Sequence, residues 1–236
     1  MSAEDDRAHM AHALALARRG LGTVWPNPAV GAVLVRGGRV VGRGWTQAGG
    51  RPHAETMALA QAGPAAQGAT AYVTLEPCAH HGQTPPCAEA LVRARVARVV
   101  SAFQDPDPRV AGRGHAMLRA AGISVTEGVR EAEARALQRG FLTRIAAGRP
   151  MLTLKLATSL DGRIATAAGE SRWITGPEAR ARVHAMRAAH DAVLIGGGTA
   201  RADDPSLTVR GLGIADLPVR IIAARALGLN PAGALG

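Results

Sequence analysis

The twelve residues Glu76-Pro77-Cys78-Ala79-His80-His81-Gly82-Gln83-Thr84-Pro85-Pro86-Cys87 decide how the first half of this chain is read. They join a short apolar strand, Ala71 to Leu75, to a helical run, Cys87 to Val96, and they hold both cysteines of the sequence. Upstream, Pro52-His53-Ala54-Glu55 opens a second helical run that reaches Ala62 and stops at Gly63-Pro64. One imidazole, His53, and two thiols, Cys78 and Cys87, make three metal ligands and leave the fourth tetrahedral position for water, as a catalytic zinc site requires. Positive helix N-termini favour the thiolate forms. Glu55, two residues past the histidine, is placed to carry a proton without joining the coordination shell. An H-x-E followed by P-C and a second cysteine is the pattern of zinc nucleobase deaminases. Each residue alone would read as a surface group or a core thiol; the ordered set points to zinc.

Working outward, apolar residues at helical spacing predict a helix from Asp5 to Arg19. Ala29 to Arg36 and Arg39 to Trp45 flank Gly37-Gly38 and read as a hairpin. After Cys87 come a strand from Val99 to Phe103, a helix from His115 to Ala121, a strand from Ile123 to Thr126 and one long amphipathic helix from Glu131 to Ala147. Alternating strands and helices predict a three-layer α/β/α domain over 1–148. Gly148-Arg149-Pro150 breaks the pattern. Beyond it lie a strand from Leu152 to Ala157, a helix from Glu178 to Ala189, strands at Ala192 to Ile195 and Pro218 to Ala223, and a tail without an evident element. Gly196-Gly197-Gly198, taken alone, reads as a plain turn.

With 47% apolar and 19% charged residues the chain has the composition of a soluble globular protein. No apolar run approaches a membrane span, and the N-terminus lacks the order of a secretory signal, so a cytoplasmic location without membrane partners is expected. The net charge of +10 raises nucleic-acid binding. The cations are scattered arginines with Lys155 the single lysine, and only 3% of residues are aromatic, which leaves little for base stacking. No nucleic-acid partner is expected; a small anionic substrate fits better.

The cysteine segment, with eight residues between its thiols, resembles the riboflavin-biosynthesis bifunctional deaminase–reductase family, whose pattern there is P-C-x-H-x-G-x-T-P-P-C. Pro26-Asn27-Pro28-Ala29-Val30-Gly31-Ala32-Val33 is similar to that family's early substrate loop, and Gly49-Gly50-Arg51-Pro52-His53-Ala54-Glu55 to its zinc segment. Asp105-Pro106-Asp107-Pro108-Arg109-Val110 and Gly112-Arg113-Gly114 resemble its D-P-N-P-x-V and G-x-G segments. The resemblance implies a cytidine-deaminase-like domain that hydrolyses 2,5-diamino-6-(5-phosphoribosylamino)pyrimidinone at C2. Asn27 and His80 would then contact the substrate, with a metal-orienting role as the alternative for His80. One departure is that many members carry a histidine and a lysine before the zinc histidine, where this chain has Trp45-Thr46-Gln47-Ala48; Gln47 or Arg51 are candidate replacements.

The second half, over 149–236, resembles the beginning of the family's reductase domain, which is dihydrofolate-reductase-like. The matching segments are Leu154 to Arg163 and Gly169 to Gly176, with Arg187, Gly198-Thr199, Asp203-Asp204-Pro205 and Leu207 to Arg210. By resemblance, Ala157, Trp173, Thr199 and Asp203 line an NADPH site, and Ser171, Arg187, Leu207 and Arg210 hold the ribosyl phosphate substrate. The family's domain is much longer than 149–236, so an incomplete α/β reductase domain with weakened or lost activity is expected, from a fragment or frame-shifted product. The family also implies a homodimer. Three rival readings are a cytidine- or guanine-type deaminase, a nucleic-acid module, and a silent zinc scaffold closed by His80 or His81.

Overall fold

The computed structural model describes residues 2–82, 84–214, 218–226, 228, 233 and 234. The chain divides into two compact units, Met1–Met151 and Leu152–Gly236.

The first unit begins with helix α1 (Ala3–Ala17), started by a reciprocal cap: the Ser2 hydroxyl accepts from the Asp5 N–H at 3.1 Å, and the Asp5 carboxylate accepts from the Ser2 N–H at 2.8 Å. Strands β1 (Gly31–Arg36) and β2 (Arg39–Trp45) form the expected hairpin, its turn made by Gly37 and Gly38 at φ of 55° and 72°. Helix α2 (Ala54–Ala62), strand β3 (Thr70–Val73), helix α3 (Cys87–Arg93), strand β4 (Arg98–Ser101), helix α4 (Arg113–Ala120) and strand β5 (Ser124–Thr126) follow. The five strands lie in the order β2-β1-β3-β4-β5; β1 is antiparallel to β2 and β3, while β3, β4 and β5 run parallel.

Glycines show which helix covers which face of the sheet. A Cβ on Gly31 would collide with the Ala13 carbonyl of α1, whereas one on Gly42 or Gly44 would collide with the Ala58 or Ala54 carbonyl of α2. Gly42 and Gly44 stand opposite Leu34 and Ala32, the residues of β1 that point away from the Gly31 face. Helices therefore cover both faces, which is the expected three-layer arrangement, and the core between them includes Met10, Leu14, Leu34, Tyr72, Val99 and Leu118. Arg98 on β4 ties the layers electrically, donating to both Asp6 oxygens of α1 at 2.9 and 2.7 Å while Tyr72 donates to the same carboxylate at 2.8 Å.

The long helix expected over 131–147 is two helices, α5 (Glu131–Leu137) and α6 (Arg139–Ala147). The joint is Gln138, whose backbone turns to ψ 10° while its buried side chain donates to the Ala29 carbonyl at 2.5 Å. That tertiary hydrogen bond has no periodic signature in sequence.

In the second unit, helix α7 (Pro177–Ala188), strand β6 (Ala192–Gly196) and strand β7 (Val219–Ala223) follow expectation, with β6 and β7 paired in parallel. Gly196-Gly197-Gly198 is more than a turn, since it launches helix α8 (Gly197–Asp203). The strand expected over 152–157 is not formed. Leu152, Leu154 and Leu156 are 80%, 81% and 64% exposed, and no ladder partner pairs with them among the described residues. An alternating apolar pattern becomes a strand only where a neighbour accepts its hydrogen bonds. Of the tail expected to lack regular structure, 227, 229–232, 235 and 236 lie outside the described residues.

Candidate active site

The ends of β1, β3 and β4 and the loops around them converge on one pocket. His53 caps the N-terminus of α2, Cys87 is the first residue of α3, and Cys78 lies in the loop between β3 and α3. The His53 Nδ1 and the two Sγ atoms lie within 4.8 Å of one another. Nδ1 is 3.3 Å from Cys87 Sγ and 3.8 Å from Cys78 Sγ. One nitrogen and two sulfurs, all facing a common point, are a donor set that suits zinc.

The electrostatics refine the expectation about helix N-termini. The first N–H of α3, that of Cys87, donates to Cys78 Sγ at 3.3 Å, so the helix end serves the loop thiol. The Cys78 thiol is pulled down to about 4 by hydrogen bonding from the Cys87 side chain, then from His53 and the Cys87 N–H. The Cys87 thiol is pushed up by the Cys78 sulfur it bonds to and by burial. His53 is raised above the ordinary imidazole value, chiefly by its bond to Cys78.

Glu55, in the first turn of α2, is 4% exposed and lines the same pocket. Burial raises its pKa, and the Cys78 thiolate raises it further. A carboxyl that holds its proton more firmly than usual is suited to giving and taking one.

Asn27 and His80 also line the pocket. Asn27 donates from Nδ2 to the Gly50 carbonyl at 2.6 Å, which fixes its amide plane. The His80 Nδ1 is buried without a hydrogen-bond partner among the described residues. Neither His80 nor His81 joins the three-ligand cluster among the described residues; His81 is turned to Glu89 at 2.9 Å, its side chain 71% exposed.

Several pocket residues had no role assigned from sequence. Asp105 and Asp107 stand in the segment matched to D-P-N-P-x-V, so their signal was a motif without a chemistry. Burial pushes Asp105 up to about 6, while Arg109 holds Asp107 at about 2. Glu76 carried only its place before Pro77-Cys78. It is buried, and its carboxylate accepts from the N–H groups of Asp105, Gly112, Gly114 and His115 at 3.1, 2.9, 2.8 and 3.3 Å. Phe141 and Arg144 reach the pocket from α6, a contact that no local pattern announces.

In the second unit, Arg187 on α7 and Arg210 come together. Arg187 donates to the Thr208 carbonyl at 3.2 Å, the Arg210 N–H donates to His184 Nδ1 at 3.2 Å, and burial followed by Arg210 lowers the Arg187 pKa. Thr199 and Asp203 share α8 at a spacing of one turn. Leu207 is buried at φ 51°, and Trp173 is exposed under the Arg180 guanidinium at 4.4 Å. Ala157 and Ser171 stand in segments without helix or strand.

Two family profiles match. The one described as "Cytidine and deoxycytidylate deaminase zinc-binding region" matches residues 3–103, and the one described as "RibD C-terminal domain" matches residues 150–235. The riboflavin biosynthesis protein RibD of Escherichia coli is 56% identical over 205 residues, which is 87% of this chain and 56% of that protein. RibD of Aquifex aeolicus is 51% identical over 222 residues, 94% of this chain and 62% of the relative. The structure of a diaminohydroxyphosphoribosylaminopyrimidine deaminase/5-amino-6-(5-phosphoribosylamino)uracil reductase from Thermotoga maritima superposes with a TM-score of 0.88 at 44% identity, over 93% of this chain and 63% of that one. Acinetobacter baumannii RibD superposes with a TM-score of 0.88 at 50% identity, over 97% and 66%. The chain thus spans a little over half the length of these curated relatives. Across the matched length, it belongs to the RibD family of riboflavin biosynthesis proteins.

Proposed function

We propose that residues 1–148 form a zinc-dependent hydrolytic deaminase. Its substrate is 2,5-diamino-6-(5-phosphoribosylamino)pyrimidin-4-one, which it converts to 5-amino-6-(5-phosphoribosylamino)uracil with release of ammonia. The observation that carries this reading is Glu55, a buried carboxyl group with a raised pKa, in one pocket with His53 and Cys78 of a three-ligand metal cluster. His53 Nδ1, Cys78 Sγ and Cys87 Sγ hold the zinc. When bound, zinc supplies a water whose pKa falls from about 16 to about 7, giving a nucleophile at neutral pH. Glu55 would hold and move protons at its carboxylate: one from water to the ring nitrogen as the C2–O bond forms, and the second to the amine as the C2–N bond breaks and ammonia leaves. Asn27, its amide plane set by Gly50, orients the pyrimidine. The unpartnered His80 Nδ1 offers a polar contact to the bound ring.

Zinc analysis combined with ammonia release tests this. Glu55→Ala is expected to retain zinc while turnover falls by about 100-fold or more. Full activity in a zinc-loaded Glu55→Ala variant would overturn the mechanism.

A second reading concerns residues 149–236, as part of an NADPH-dependent reductase of the ribosyl group. Its support is that Arg187 on α7 holds the Thr208 carbonyl beside Arg210, where burial and the Arg210 charge both disfavour its cation, a setting that an anionic group would relieve. Ser171 and Leu207 complete the proposed substrate contacts, and Ala157, Trp173, Thr199 and Asp203 the cofactor contacts. NADPH oxidation with the deaminated product tests it, and light scattering tests the homodimer that goes with this reading.

A further inference from the structure

Three guanidinium groups border the deaminase pocket, those of Arg51, Arg109 and Arg144. Arg109 is committed to Asp107, donating from Nε to both carboxylate oxygens at 3.0 and 3.1 Å and from a terminal nitrogen at 2.6 Å. Arg144 is held by the Pro26 carbonyl at 2.7 Å and lies over the Phe141 ring at 5.5 Å. Among the described residues Arg51 donates to a neutral hydroxyl alone, Thr84 Oγ1, at 2.6 Å, with Gly82 beside it. No carboxylate pairs with Arg51 or Arg144 among the described residues.

The lining also holds four buried carboxyl groups, Glu55, Glu76, Asp105 and Asp107, among apolar and neutral residues, so an anionic group on a ligand is better placed beside the less buried arginines than among them. Arg51 is the rim cation freest to receive it. Its backbone is fixed from both sides: Gly50 before it accepts from Asn27 at 2.6 Å, and His53 after it faces the two thiols. The side chain therefore lines the same pocket as the Asn27 amide and the metal ligands His53 and Cys78. Gln47, the other residue near the missing histidine and lysine, turns its amide to the Trp45 carbonyl at 2.7 Å and does not line the pocket.

We infer that Arg51 determines substrate specificity by binding the phosphomonoester end of the substrate, exchanging Thr84 Oγ1 for phosphate oxygens as the ligand enters. A charge-assisted guanidinium–phosphate pair is stronger than a bond to a neutral hydroxyl, so the exchange runs toward the ligand. The assignment rests on the deaminase reading above and adds to it the residue that selects a phosphorylated over an unphosphorylated ribosylamino-pyrimidine.

The test uses the full chain, zinc-loaded, as wild type, Arg51→Ala, Arg51→Lys and the hairpin-turn control Arg36→Ala. Ammonia release is measured with the phosphorylated substrate and with its dephosphorylated counterpart, and ribose 5-phosphate binding is measured by calorimetry. Arg51→Ala is expected to raise KM for the phosphorylated substrate about tenfold or more, leaving kcat within about threefold and zinc content unchanged. It should leave the dephosphorylated substrate unaffected and weaken ribose 5-phosphate binding by a similar factor. Arg51→Lys should recover part of both losses, and Arg36→Ala should match wild type. Equal effects on both substrates, or unchanged ribose 5-phosphate affinity in Arg51→Ala, would overturn the assignment. Wild type that binds ribose 5-phosphate through Arg51 but releases no ammonia would instead overturn the deaminase reading.

Discussion

Glu76 stands two residues before Cys78, and its carboxylate is the acceptor for four backbone N–H groups drawn from the Asp105 loop and the start of α4. Replacing it with glutamine puts an NH2 group against those donors and removes the charge they share. Glu76→Gln is expected to lose about 2–3 kcal/mol of stability in urea denaturation and to lose zinc affinity as the Cys78 loop loosens. His115, next to this clamp, is buried, with Nε2 bonded to Ser101 Oγ at 2.9 Å. Its Nδ1 is 3.1 Å from Glu127 yet too poorly aligned for a hydrogen bond. Burial depresses its pKa against the pull of Glu76 and Glu127, with Arg119 adding to the depression. The unfolded chain therefore takes up a proton near pH 6.5, before the folded chain does. Stability owed to the neutral ring is whole above that pH and declines as pH falls toward the folded value. The urea midpoint of wild type should drop between pH 7.5 and 5.5 by more than that of His115→Gln; equal drops would refute the account. At this scale the metal-ligand cluster and the place of Glu55 in the same pocket were legible because they sit in short motifs, whereas Glu76 acts through backbone groups 29 to 39 residues away and His115 through a hydroxyl 14 residues away, and neither leaves such a mark.

Gly31 and Gly44 show what the elements ask of their sequence. Both stand where a strand touches the backbone of a covering helix, Gly31 against α1 and Gly44 against α2. Alanine at either position forces the layers apart and should cost about 1–3 kcal/mol, as overpacking does. The consequences should differ, because α2 begins at the zinc histidine and holds Glu55 in its first turn while α1 carries no site residue. Gly44→Ala is expected to lower zinc affinity and activity in the surviving folded fraction, and Gly31→Ala to lower the melting temperature alone. Competitive zinc titration of the two variants separates these outcomes. Strands β1 to β5 and most helices were readable from periodicity and turn residues. The kink at Gln138 was not, because it is set by the Ala29 carbonyl across the fold, and the 152–157 segment misled because alternation reports a pattern rather than a partner.

Over the whole molecule, the site chemistry and the packed core lie within Met1–Met151, and the extended core cluster ends before that boundary. Strands β6 and β7 expose Leu194, Val219 and Ile221, so their hydrogen bonds are less shielded than those of β1, β3 and β4. Hydrogen exchange should show slow amides in β1, β3 and β4 and fast ones in β6 and β7, and a zinc chelator should speed exchange around Cys78 and α3 without changing β6. Uniform protection across both units would contradict the division. No helix among the described residues is long and apolar enough to cross a membrane. Some arginines of the first unit have local partners, such as Arg98 on Asp6 and Arg109 on Asp107, and these neutral pairs leave the +10 excess as it was. The Glu76 clamp has a consequence for how such a chain evolves. Active sites commonly relax into new functions by surrendering some folding stability and recovering it elsewhere. Here one carboxylate, on the loop that carries a metal ligand, anchors the Asp105 loop and the start of α4. Selection for a folded protein and selection for a metal-bound one therefore act on position 76 together, and drift there is penalised twice.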